Sequence, residues 1–307
     1  APVIESKGRS FPVETRYLGR RAEERIEPQV ARAVRQALGE ETGSILVFLP
    51  GQGEIRRTAE MLADELPAGC QLAPLYGALD AKAQDLAIRP APAGTRKIVL
   101  ASAIAQTSLT IEGVRVVIDS GLSRVPRYEP QTGLTRLETI RVSRASADQR
   151  RGRAGRTEPG VCYRLWDEAQ TVSLAASEAP EILEADLSGL ALDLAAWGTT
   201  DPAQLQFLDP PPAAAWTEAT QLLKALHALD DTGHLTDQGK ALARLPLQPR
   251  LAHMLDRAQS GPWSHSQLTP LDLTLDGIGK SDNSRQPLTS MKRPCLEDNP
   301  FFPVHTA

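Results

Sequence analysis

Apolar positions alternate between two kinds of pattern along the first 170 or so residues. Residues 28–38 carry a helical stripe of Val30, Val34 and Leu38, which predicts an amphipathic helix. Residues 44–49 follow with a continuous apolar run, Ile45-Leu46-Val47-Phe48-Leu49, closed by Pro50 and Gly51. Such a run suits a parallel strand buried on both faces. Helical period returns over 54–66 through Ile55, Ala59, Leu62 and Leu66, and short strands are predicted at 72–75, 97–101 and 114–118. Strands alternating with helices predict an α/β fold, a parallel sheet sandwiched by helices.

The rhythm breaks at 124–140, where Pro130, Gln131, Thr132 and Gly133 separate two short alternating runs. A protruding antiparallel β-hairpin is expected there. From residue 180 the pattern is mostly helical, through 187–197 and 215–229, with the triple proline Pro210, Pro211 and Pro212 between them and a small turn or wing at 233–236. A domain boundary is placed near residue 175. The last stretch, 259–307, has six prolines, scattered serines and no sustained period, so it is expected to be poorly ordered.

The length of 307 residues, with 41% hydrophobic and 23% charged, accommodates two ordinary globular domains. There is no run of 18 apolar residues and no apolar leader at residues 1–9. Cys70, Cys162 and Cys295 lie far apart, with neither metal-ligand spacing nor a disulfide framework, as suits a reducing cytoplasm. Trp166, Trp197 and Trp216 sit in apolar patterns and are expected in cores, and His227 and His234 are read as structural residues flanking a turn. The net charge of −4 argues against a nucleic-acid binder, but it hides an asymmetry. Residues 115–164 hold eleven arginines, no lysine and five acids, a local excess of six positive charges. Charge alone leaves open a solvated basic face or a set of guanidinium forks for phosphate.

The spacing of those arginines favours phosphate. In Gln149-Arg150-Arg151-Gly152-Arg153-Ala154-Gly155-Arg156, two arginines three residues apart share one face of a helical turn. The glycines between them permit close approach to a ligand, and Gln149 stands one turn before. Chemically this is an arginine-finger arrangement, which stabilises charge on a transferring γ-phosphoryl group. The bland alternative is a basic helix cap that binds nothing.

This segment resembles motif VI (Q-R-x-G-R-x-G-R) of superfamily-2 helicases of the DEAH-box type, in the pattern of the bacterial HrpB kind. Residues 45–55 (ILVFLPGQGEI) resemble motif IV, and residues 101–111 (ASAIAQTSLTI) resemble motif V. The hairpin falls where the family carries one, and Phe207-Leu-Asp-Pro-Pro211 and Pro246-Leu-Gln-Pro-Arg250 resemble its winged-helix region. The resemblance covers about residues 1–258. It implies a linker from a missing first lobe at 1–22, a second RecA-like lobe at 23–175, a mostly helical winged-helix domain at 176–258, and a divergent tail at 259–307. It also implies an ATP-dependent RNA helicase in which ATP and Mg²⁺ bind only with a first RecA-like lobe, in cis or in trans, and single-stranded RNA is held by backbone contacts across the cleft between the lobes. Position by position, Gln149, Arg153 and Arg156 would face the γ-phosphate, with Glu112 and Gly152 near the nucleotide. Gly51, Thr107 and Ser108 would contact the RNA backbone.

Motif V usually reads A-T-N-I-A-E-T-S, and here Ser102, Ala103 and Gln106 replace its Thr, Asn and Glu. The loss of an amide and a charge is expected to loosen coupling between RNA and ATP. Ile88 stands where relatives place an aromatic for adenine. The sequence has no Walker A loop and no Asp-Glu-x-His box. Gly279-Lys280-Ser281, Asp167-Glu168-Ala169-Gln170 and Gly51-Gln52-Gly53 imitate such motifs in the wrong context. The chain opens with Ala1 at the family's inter-lobe linker and leaves the pattern after Ala258, which raises the reading of a truncated or frame-shifted product. The expectation is a helicase lobe that is inactive alone; a non-catalytic RNA- or partner-binding module and an inactive fragment stay open.

Overall fold

The computed structural model describes residues 11–107, 111–130 and 132–260. Its centre is a parallel six-stranded sheet in the order β1-β8-β5-β2-β4-β3. The strands are β1 (Val13–Tyr17), β2 (Ser44–Phe48), β3 (Cys70–Leu75), β4 (Arg96–Ala101), β5 (Val114–Asp119) and β8 (Gly160–Arg164). Interleaved with them are helices α1 (Ile26–Glu40), α2 (Gln52–Ala63), α3 (Ala81–Ile88), α4 (Ile104–Thr107) and α5 (Arg144–Gly152). The period of two in a strand sends neighbouring side chains to opposite faces, so β2 divides between two cores. Ile45 and Val47 pack with Val30 and Val34 of α1 and Ile55 of α2. Leu46 and Phe48 pack on the other face with Ala87, Ala105 and Ala154. Every residue of β2 is buried, and each large apolar side chain removed from water contributes about 1.5–3 kcal/mol.

The segment expected as a linker contains β1, whose residues Val13–Tyr17 pair with Gly160–Arg164 as the sheet's edge strand. The break at 124–140 is an antiparallel hairpin, β6 (Leu122–Glu129) and β7 (Leu134–Arg141), in register from Leu122 opposite Arg141 to Glu129 opposite Leu134. Its polar outer faces leave Leu134 and Leu137 exposed.

A third core lies beyond residue 180, among α6 (Ser188–Ala196), α7 (Ala213–Ala225), α8 (Asp237–Ala243) and α9 (Pro249–Ser260). The turn expected at 233–236 closes on a single bridge between Leu229 and Leu235, and the Thr236 hydroxyl caps α8 by accepting from Gly239 N. Tyr128 ties the hairpin to this helical unit: its N–H donates to Glu184 O (3.3 Å) and its hydroxyl to Glu218 Oε1 (3.2 Å). Trp166 is buried and Trp216 packs against the helical core, but Trp197 is 67% exposed. As the C-cap of α6, Trp197 lies past the last turn whose apolar face meets the core. Among the described residues no helix is long and apolar enough to cross a membrane. The tail expected to be poorly ordered, after α9 ends at Ser260, lies outside the described residues.

Candidate functional site

The arginine-rich motif occupies α5 and the 3-10 turn Arg153–Gly155 that follows it. Ser143 starts the helix, its hydroxyl accepting from Ser146 N at 3.0 Å. The motif's arginines then separate into different tasks. Arg150 turns inward and is fully buried. Its Nη1 donates to Asp119 Oδ1 (2.9 Å) and Leu122 O (3.0 Å), its Nε donates to Gln106 Oε1 (3.1 Å), and the guanidinium lies over the Phe48 ring at 5.0 Å. Arg150 is therefore the anchor of the motif, clamping α5 to the ends of β2 and β5.

Gln149 and Arg153 converge on Gln106 of α4, and the charge of Arg156 is felt at Arg153. Gln149 is exposed and its Oε1 accepts from Gln106 Nε2 at 3.0 Å. Arg153 is buried, and both Nε (3.0 Å) and Nη2 donate to the Gln106 carbonyl. Burial and the like charge of Arg156 beside it push the Arg153 guanidinium below its ordinary pKa. A guanidinium disfavoured by burial and a like charge gains from an anion brought beside it. Among the glycines, Gly152 is exposed and a Cβ there would meet nothing within 4 Å, so the helix end is open to an approaching ligand. Gly155 serves packing instead: a Cβ would fall 2.6 Å from Phe11 O and 2.7 Å from Val13 Cγ2.

Gly51 lies at the other end of the expected set. It is the buried N-cap of α2, and a Cβ would stand 2.6 Å from Arg124 Nη1. Around it opens a groove of about 580 Å³, lined by the loops after β2, β3 and β4 (Gly51, Tyr76, Ala103 among them) and by Arg124 and Leu137 of the hairpin. The carboxyl ends of parallel strands at a switch in strand order are the usual place for a ligand in such sheets. Glu54 pairs with Arg124 of the groove lining (3.2 Å) and with Arg57 (3.1 Å). Thr107 ends α4, and Ser108 lies outside the described residues. Glu112 is exposed beside Gly113, whose carbonyl accepts from Ser44 N at the start of β2. Glu112 and Gly51 are thus at opposite ends of the sheet, separated by the length of β2.

The imitation of a magnesium box at Asp167-Glu168-Ala169-Gln170 is an exposed 3-10 turn over Glu168–Thr171. The segment at 279–281 lies outside the described residues. Among the described residues no group of three or more His, Cys, Asp or Glu side chains could hold a metal ion. Sequence reasoning passed over Asp119 and Arg150 as a buried pair and Gln106 as a hub. The available signal was a carboxylate ending an otherwise apolar strand, which demands a buried partner.

Comparison with known proteins agrees with this anatomy. Residues 29–158 match the family model of the helicase conserved C-terminal domain, and residues 219–247 match that of the winged-helix helicase associated domain, HA2. The chain is 52% identical over 260 residues to the ATP-dependent RNA helicase HrpB of Escherichia coli, covering 85% of the chain and 32% of that protein. It is 40% identical over 262 residues to the pre-mRNA-splicing factor ATP-dependent RNA helicase prp22 of Schizosaccharomyces pombe, 83% of the chain and 22% of that protein. A crystal structure of Escherichia coli DEAH/RHA helicase HrpB superposes with a TM-score of 0.78 over 83% of the chain, and one described as a DExH-box NTPase superposes with 0.74 over 84%, each covering 32% of the solved chain. The chain thus spans about a third of the length of HrpB. It belongs to the DEAH/RHA RNA helicase family, of which it carries the RecA-like C-terminal helicase domain and the winged-helix region.

Proposed function

We propose that this chain supplies one wall of a composite ATP site and part of an RNA track in an ATP-dependent RNA helicase of the cytoplasm, the other wall coming from a first RecA-like lobe. The observation that carries the reading is the meeting of Arg153 and Gln149 on Gln106 beside the exposed Gly152, with the like charge of Arg156 felt at Arg153. Two guanidiniums and an amide match the charge and the oxygen lone pairs of a γ-phosphoryl group. Gly152 would let the phosphate approach the backbone, and Glu112 would contribute from the amino end of β5. ATP with Mg²⁺ supplies the phosphoryl group to be transferred; this chain's residues orient it and neutralise its charge. On the other side, the groove around Gly51, with Thr107, Ser108 and the rim arginine Arg124, would follow the RNA backbone without reading sequence.

The test is RNA-stimulated ATP hydrolysis by the chain alone and mixed with a separately made first lobe. Turnover only in the mixture, falling about a hundredfold or more in Arg153→Ala or Arg156→Ala, is the expected result. Hydrolysis by the chain alone, above that of an Arg153→Ala control, would overturn it. Silence in both arms with RNA binding intact would leave an RNA-binding module.

A further inference from the structure

Gln106 stands where the family pattern usually has a glutamate, a departure that looks like the loss of a charge. In the structure it acts instead through being an amide. Arg150 can only donate, and its Nε points at Gln106 at 3.1 Å. The end of the Gln106 amide facing Arg150 must therefore be the carbonyl oxygen. That fixes its Nε2 toward α5, where it donates to Ser146 Oγ (2.6 Å) and to Gln149 (3.0 Å). Ser146, having accepted, donates its own hydroxyl hydrogen bond to Glu178, and against the upward push of burial the hydrogen bonds from Ser146 and Ser143 hold the Glu178 carboxylate low. Gln149 must likewise meet Gln106 with its oxygen. The other end of the Gln149 amide, its NH₂, then faces away from Gln106.

We infer that Gln106 is a positioning residue that dictates which end of the Gln149 side chain faces the nucleotide: the donor end, suited to phosphoryl oxygens. The inference rests on the reading that Gln149 and Arg153 face the γ-phosphate. A glutamate at 106 would still accept from Arg150 but has no proton to give Gln149 at neutral pH. Gln149 would then turn its NH₂ inward to the carboxylate and present its oxygen to the phosphate, an acceptor facing acceptors. The same residue's backbone carbonyl holds Arg153, so the side-chain exchange leaves the arginine's own anchor in place. This separates the two parts of the site chemically.

The experiment is Gln106→Glu, read in two ways beside Arg153→Ala. In the chain alone, ¹⁵N–¹H spectra report the Gln149 side-chain amide, whose resonances should move on Gln106→Glu as the NH₂ becomes bonded to a carboxylate, while backbone resonances away from α4 and α5 stay put. In the mixture with a first lobe, kcat for ATP should fall about tenfold, the size of one net hydrogen bond, with KM little changed and the melting temperature preserved. An unmoved Gln149 amide, or unaltered kcat in a mixture that Arg153→Ala disables, overturns this inference and leaves the nucleotide reading intact. A shifted amide with Arg153→Ala fully active overturns the nucleotide reading, and with it the inference.

Discussion

Arg150→Met is the sharpest perturbation available to the folded chain. The Arg150 and Asp119 side chains are 1% and 0% exposed and meet at 2.9 Å. Arg150 also serves Leu122 O and Gln106 Oε1. With methionine in its place, Asp119 keeps only the Gly121 N–H at 2.9 Å as a partner among the described residues, its Oδ2 being already buried without one. A buried carboxylate stripped of its counterion costs about 3–5 kcal/mol. At roughly 2–4 °C per kcal/mol for a domain of this size, the melting temperature should fall by about 6–20 °C. The double variant Arg150→Met, Asp119→Leu removes both charges and should recover to within about 2 kcal/mol of the parent, because a buried ion pair exchanged for apolar groups is nearly neutral. Urea denaturation followed by circular dichroism measures both. If Arg150→Met alone costs under about 1 kcal/mol, or if the double variant is no better than the single one, the clamp is not what holds α5 to the sheet.

Other consequences follow from the same physics. Gly121 has φ +71° and a Cβ there would sit 2.8 Å from Trp166 Cε3, so Gly121→Ala should destabilise by about 1–2 kcal/mol from the left-handed backbone alone and more from the ring, read from urea midpoints. Glu27 is buried against Arg57 Nε at 2.5 Å; burial pushes its carboxyl up, but backbone and Arg57 hydrogen bonds outweigh this and hold it below the ordinary value. Its stabilisation is therefore present above the unfolded pKa of about 4.3 and lost as pH falls through the depressed folded value, so Glu27→Gln should be less acid-sensitive than the parent below pH 4.3 or so in stability-versus-pH curves. Burial pushes the Cys162 thiol up to about 12, so a disulfide reagent at neutral pH should modify it only on unfolding, whereas half-buried Cys70 reacts in the folded chain, as mass spectrometry of peptides would show.

The alternation of strand and helix was legible because both faces of β2 are covered, which writes an uninterrupted apolar run into Ile45 to Leu49. β1 and β8 were harder. Val13–Tyr17 is an edge strand with exposed and half-buried positions, and β8 mixes Tyr163 and Arg164 with apolar residues, all of them buried. Lys97 shows the same limit. A lysine in a strand reads as exposed, yet it is 3% exposed, with its ammonium capping the carbonyls of Leu86 (2.8 Å) and Arg89 at the end of α3. At the site, the arginine spacing identified the motif but could not sort its members. Arg150 and Arg153 are identical in composition and local pattern, and only the position of Asp119 on β5 makes the first an internal anchor. Gln106 was legible as a departure and not as a hub, because its partners are 40 or more residues away along the chain.

On the proposed reading, Arg153 and Arg156 stabilise the phosphoryl group in flight and not simply the bound nucleotide. Affinity of the mixed lobes for ADP with aluminium fluoride, compared with affinity for ADP alone, measures that difference directly. Arg153→Ala should weaken the fluoride complex about a hundredfold or more and leave ADP binding nearly unchanged. Equal losses for both ligands, or no loss for either, would overturn that role.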